Sequence, residues 1–243
     1  MIADFITALT FLTILPAPRQ AAATTPGRAF SFFPLVGLIV GAIVALAASI
    51  RFLPVLPGDL VAFVTLLVWV ALTGGLHLDG FADSCDGLLA TVPPERRLEI
   101  MKDPRAGSWA VIGVVVLLLG KWVALRTLAP LLLLVPPVAG RWAMVLAVAA
   151  FPGARPSGLA AHFRAGFGRT QLVVASATAL VIMTAVGLFA GWRVALAMAV
   201  APLLALIGGR WAANRLGGGL TGDVYGALCE LVELVCLILL SIA

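Results

Sequence analysis

Charge is what this sequence has least of. Of its 243 residues 11% are charged and 62% are hydrophobic, whereas a soluble domain carries about 25% charged residues. Too few polar side chains are present to cover a water-facing surface. Cysteine is scarce as well: Cys85, Cys229 and Cys236 are odd in number and lack metal-site spacing, so they read as reduced, structural thiols. A secretory signal is also missing. Met1 to Pro18 has Asp4 near its start, no basic n-region and no small-residue cleavage site.

What is present is apolar length. Seven stretches are long enough to span: Phe32–Phe52, Leu60–Leu76, Ser108–Leu125, Leu131–Ala150, Gln171–Ala190, Val194–Ala213 and Val224–Ala243. Each comes close to the roughly 20 residues that cross a hydrocarbon core. Met1 to Leu15 is apolar but shorter and is stopped by Pro16 and Pro18, which suits an interfacial or re-entrant helix. Pro136 and Pro137 should kink or delay the fourth span. The expectation is an all-α integral membrane protein, one transmembrane helical domain over residues 1–243, with about seven spans and a short N-terminal helix.

The net charge of +5 comes from 16 Lys and Arg against 11 Asp and Glu. Its placement points to membrane orientation and not to nucleic acid. One set of connections holds Arg19, Arg28, Arg96, Arg97, Lys102, Arg105, Arg155, Arg164, Arg169, Arg210 and Arg215; the alternate set holds only Arg51, Arg126 and Arg193. The rich set should face the cytoplasm of a bacterial-type inner membrane, with the N-terminus inside and the C-terminus outside. The long polar connections fall on the same side, so the site is expected there.

The densest polar run, Gly74 to Gly87, carries His77, Asp79, Asp83 and Asp86. Carboxylates at i, i+4 and i+7 share one helix face and repel. A divalent cation would compensate, and an all-oxygen set favours Mg²⁺ or Mn²⁺ over zinc. Mg²⁺ typically takes one or two carboxylates plus substrate phosphates, which implies a phosphorylated ligand. A solvated acidic face is the plainer alternative. His77 is a candidate base, ligand or interfacial side chain. Downstream, Lys102, Asp103 and Arg105 form a compact run beside Pro104 and Gly107, suited to gripping phosphate.

The last span opens with Asp223 and holds Glu230 and Glu233. An acid inside a span costs about 2.5–3.5 kcal/mol on insertion scales. Partners must come from Arg141 within the fourth span, Lys121, a metal or a substrate. Arg141–Glu pairing that locks helices together is the structural alternative.

At these residues the sequence resembles cobalamin synthase, the adenosylcobinamide-GDP ribazoletransferase family. The resemblance rests on His77-Leu78-Asp79-Gly80-Phe81-Ala82-Asp83 with Asp86-Gly87, on Arg97 through Gly107, on Leu220 to Ala227 with Glu230 and Glu233, and on Phe33-Pro34-Leu35-Val36-Gly37. These blocks run over nearly the whole chain in the family's order. Ile14 and Leu15 stand where the family often has a basic residue, and Ala106 where it usually has a larger apolar one.

The resemblance implies a Mg²⁺-dependent phosphotransfer at the lipid bilayer. Adenosylcobinamide-GDP would react with α-ribazole or its 5′-phosphate and release GMP. Asp79, Asp83 and Asp86 would hold the metal, with Asp83 essential to turnover. Lys102, Asp103, Arg105, Arg141, Asp223 and Glu230 would contact substrate, and His77 or one carboxylate would act as base. Two other readings compete. A CDP-alcohol phosphotransferase should show Asp-Gly-x-x-Ala-Arg, but Asp79-Gly80 is followed by Phe81-Ala82-Asp83. A cation-coupled transporter should show half-repeats and polar groups strung across the bilayer. Oligomeric state is left open.

Overall fold

The computed structural model describes residues 1–17, 25–52, 56–155 and 163–242. Ten helices carry the architecture among them: α1 (Ile2–Leu12), α2 (Phe33–Ala48), α3 (Gly58–Thr73), α4 (Leu76–Leu89), α5 (Pro94–Ile100), α6 (Ser108–Leu125), α7 (Val135–Ala150), α8 (Arg169–Ala190), α9 (Trp192–Arg215) and α10 (Gly222–Ser241). Turns of 3₁₀ helix extend α2 on both sides (Pro26–Phe32 and Ser49–Phe52) and lead into α7 (Pro130–Leu134). The described residues contain no strand, only an isolated bridge between Gly153 and Leu220.

Six segments are long and apolar enough to cross a membrane, and α3 makes a seventh when joined to α4. The chain is therefore an all-α, multi-pass membrane protein, as its composition implies. Side-chain placement follows from that solvent. On α6, Ile112, Val115, Val116, Leu119 and Val123 are exposed, while Leu117 and Lys121 are buried. The helix turns its apolar stripe outward, toward lipid, and its one charge inward. Helix α7 is buried on nearly every face and forms the centre of the bundle.

Two expectations about the spans sharpen here. Pro136 and Pro137 fall in the first turn of α7, where the missing N–H costs nothing. They delay the helix and do not kink it. The second span ends at Thr73, because Gly74 and Gly75 both take positive φ, 60° and 68°, a region that side chains disfavour. The two glycines break the helix and turn α4 by 90° from α3.

Helix α1 has 11 residues, about 16 Å at the α-helical rise, too short to cross. It buries Ala8 and Leu12, and just past its end the Ile14 N–H donates to the Leu72 carbonyl at 2.9 Å. Cys85, Cys229 and Cys236 are free.

The connections gather at opposite ends. At one end Arg51 donates to the carbonyls of Leu125, at 2.8 Å, and Leu128, and Arg126 pairs with Asp59. At the other, Gly27 N donates to Ala165 O, Leu220 N to Pro152 O and Ala154 N to Leu220 O, each at 2.9 Å. Asp86 of α4 bonds the start of α6 at this same end. The long connections therefore meet around α4.

Candidate active site

Helix α4 lies across this end, packed against α10 and α6. Its approach to α10 depends on Gly80. A Cβ there would stand 2.8 Å from the Asp223 carbonyl oxygen and 2.9 Å from its Cα. This close crossing brings Asp79 and Asp83 of α4 alongside Asp223 of α10. Asp83 feels the charges of Asp223, Asp79 and Asp86, with Arg155 the opposing cation.

Two cavities open on this group, and Asp79 lines both. One, of about 190 Å³, is bounded by Phe11, Phe30, Phe33, Phe163 and Tyr225, and also by His77, Thr221, Asp223 and Arg155. The other, of about 320 Å³, is polar and is bounded by Asp83, Lys102, Asp103 and Arg105. At its rim Asp103 accepts from the Arg105 backbone N–H at 3.1 Å, from Nε at 2.9 Å and from Nη2 at 2.6 Å. Those bonds hold the Asp103 carboxyl down to about 2. Lys102 beside them is exposed, with no ion pair among the described residues.

Asp86 is differently engaged from its two neighbours. Its Oδ2 accepts from Gly107 N at 2.6 Å and its Oδ1 from Ala110 N at 2.9 Å. Both oxygens thus satisfy free amides at the positive end of α6. The three carboxylates share a face, as their spacing requires, but of the three only Asp79 and Asp83 line these two cavities. No group of three or more His, Cys, Asp or Glu is assembled for a metal among the described residues. Asp86, expected beside them as a metal ligand, has each of its oxygens bonded to a backbone amide.

His77 is 2% exposed. Its Nδ1 is 3.5 Å from Arg141 Nη2, and its Nε2 has no partner. A guanidinium only donates, so Nδ1 accepts and the neutral ring carries its proton on Nε2. Behind His77 lies a buried ionic cluster. Arg141 pairs with Glu233, and Lys121 with both Glu230, at 2.6 Å, and Glu233. Lys121 also sits over the Trp69 ring, 4.7 Å from its centroid.

The resemblance puts Arg141 and Glu230 among the substrate contacts; neither is among the residues that line these two cavities. Their charges are spent on each other's neighbours, joining α6, α7 and α10. The face shared by Asp223 and Glu230 on α10 divides accordingly, its first acid to the cavity and its second to the bundle.

Sequence reasoning counted Arg155 only as an orienting charge and passed over Thr221, Tyr225 and the phenylalanines as site residues. Arg155 donates to Leu98 O at 2.9 Å, stands 4.0 Å from Asp223 Oδ2 and lines the aromatic cavity. Its place depends on the bridge of Gly153 to Leu220, which no local pattern announces. The aromatic wall had a signal. Five of the twelve phenylalanines fall within residues 5–33, a density that lipid contact alone does not explain.

Residues 4–241 match the family model described as cobalamin-5-phosphate synthase. A protein of a Synechococcus species named adenosylcobinamide-GDP ribazoletransferase is 38% identical over 231 residues, covering 93% of this chain and 91% of its own. Proteins of the same name from Stutzerimonas stutzeri and Deinococcus radiodurans are 40% and 39% identical, covering 97% and 95% of this chain and 96% and 82% of their own. No solved structure matches. The chain therefore belongs to the cobalamin-5-phosphate synthase family.

Proposed function

We propose that the chain transfers the adenosylcobinamide phosphate group from adenosylcobinamide-GDP to α-ribazole or its 5′-phosphate and releases GMP. The observation that carries this reading is the meeting of an aromatic cavity and a polar, cation-rimmed cavity at one carboxylate, Asp79. Two substrates of opposite character would face each other there. The names borne by the relatives supply the substrate identities.

The donor set fits Mg²⁺. Asp79 and Asp83 offer only oxygen, and Mg²⁺ prefers one or two carboxylates completed by water and phosphate oxygens to an all-protein cage. Bound there, the ion would neutralise charge on the diphosphate.

The chain's own residues do the rest. Lys102 and Arg105 hold phosphoryl oxygens, Arg105 as a planar fork braced by Asp103. Asp223, whose Oδ2 has no hydrogen-bond partner, takes the proton from the attacking ribazole hydroxyl. That oxygen bonds to the phosphorus on the cobinamide side, and the phosphorus–oxygen bond to GMP breaks. His77 donates from Nε2 and steadies a ligand atom. Positioning and charge neutralisation supply most of the acceleration in phosphoryl transfer.

The eleven basic residues in one set of connections of the sequence, against three in the alternate set, favour the cytoplasm for the site, in a bacterial inner membrane with the C-terminus outside. The test is GMP production by purified protein given adenosylcobinamide-GDP and α-ribazole, with and without Mg²⁺. GMP is expected only with both substrates and the ion. Absence of GMP under every condition overturns the reading, and full activity in chelator overturns the metal.

A further inference from the structure

We infer that the aromatic cavity is the seat of the planar base of the acceptor nucleoside, separate from the polar cavity that takes the diphosphate; this rests on the transferase reading above. Its walls are rings that already contact one another. Phe11 and Phe163 lie 4.2 Å apart by their centroids, Phe30 and Phe33 4.4 Å, and Phe30 meets Phe163 edge-on at 6.3 Å. Such a wall compensates a flat apolar surface and leaves a phosphate without partners.

Size agrees. A dry cavity of about 150 Å³ takes benzene, so about 190 Å³ accommodates a bicyclic heteroaromatic ring. A corrinoid macrocycle is far too large for it.

The cavity also has a polar pole. Asp79, Thr221, Asp223 and Arg155 line it, and Arg155 Nε and Asp223 Oδ2 are buried without hydrogen-bond partners. These are the groups that a ribose would satisfy. With its base against the rings, a nucleoside would place its sugar hydroxyl beside Asp79, where the two cavities join. His77, buried and with Nε2 unpartnered, adds a donor suited to a free ring nitrogen of a heteroaromatic base. The N-terminal helix α1 and the turn before α2 then have a task in substrate choice, since they supply Phe11 and Phe30.

The test uses full-length protein in detergent. Equilibrium dialysis with α-ribazole alone reads the cavity without turnover, and GMP release reads KM for each substrate. Phe11→Ala opens the wall, Leu76→Trp fills the cavity from its exposed side, and Phe11→Leu keeps bulk should Phe11→Ala fail to fold. The expected result is α-ribazole binding to the unaltered protein and a rise of about tenfold in its KM in the variants, the scale of one base–aromatic stack. KM for adenosylcobinamide-GDP should stay within about twofold. Normal GMP release with KM for α-ribazole unmoved in every variant, or a rise confined to the cobinamide nucleotide, overturns the cavity assignment. Binding of α-ribazole that the variants weaken, without GMP from the unaltered protein or any variant, upholds the cavity and overturns the transferase reading instead.

Discussion

Among the described residues, two groups of charges lie close to one imidazole, His77. Lys121, Arg141, Glu230 and Glu233 carry as many positive as negative charges and are buried among α6, α7 and α10. Asp79, Asp83 and Asp223 gather at the end of the bundle with Arg155 as the opposing cation, 4.0 Å from Asp223. The first group is balanced in charge. A buried charge without its partner is costly in lipid, and each of these has one. The second carries excess negative charge and open space on two sides. Charge that the fold has paired holds helices together; charge it has left unpaired beside a cavity is available to a ligand.

The comparison breaks most sharply at Asp83. Asp83→Asn should reduce GMP release by at least about a hundredfold, the scale of losing one preorganised electrostatic group, while the protein still inserts and purifies. Normal turnover in that variant would remove Asp83 from the chemistry. In the balanced group, Glu233→Gln should act on stability first. It strips a charge facing both Lys121 and Arg141, and breaking a buried pair costs about 3–5 kcal/mol. Denaturation in detergent measures this, and an unchanged midpoint would mean that the cluster does not hold the helices.

Asp86 lies between the two cases. Asp86→Asn removes a charge-assisted acceptor from the start of α6, and about 1–3 kcal/mol of stability should go with it, with turnover largely kept. Loss of turnover as complete as in Asp83→Asn would return Asp86 to the metal group.

Asp103 should give the smallest effect. With its folded pKa pushed down to about 2 by Arg105, it contributes to stability above its ordinary value near 4 and loses that contribution only as pH falls toward 2. The brace on Arg105 should therefore not titrate between pH 5 and 9. Asp103→Asn should raise KM for the nucleotide a few-fold and leave the shape of the pH profile unchanged; a profile that moves would assign Asp103 to proton transfer.

Much of the architecture was legible in the residues because lipid imposes it. Apolar length marks each span, and the alternation of basic residues between connections sorts the two ends that the structure keeps apart. The carboxylate spacing on α4 placed Asp79, Asp83 and Asp86 on one face. It did not disclose that Asp86 is consumed by Gly107 N and Ala110 N, since those amides come from a helix more than twenty residues on. Nor could the acids of α10 be divided from spacing, because Glu230 meets Lys121 from α6 and Asp223 meets Arg155 from the loop after α7. The rings of Phe11 and Phe163 are in contact but stand 152 positions apart in the chain, beyond any periodicity.

The sequence by itself determined the solvent of this protein, the apolar helices long enough to cross it, the end at which polar loops collect and the helix face that bears its acids. All of these follow from composition and local period, which act through neighbours along the chain. The tertiary structure alone decided which charges are balanced and which remain available, and it built the two cavities on either side of Asp79. Pairing and enclosure depend on side chains from distant segments meeting in space, and those meetings are set by packing.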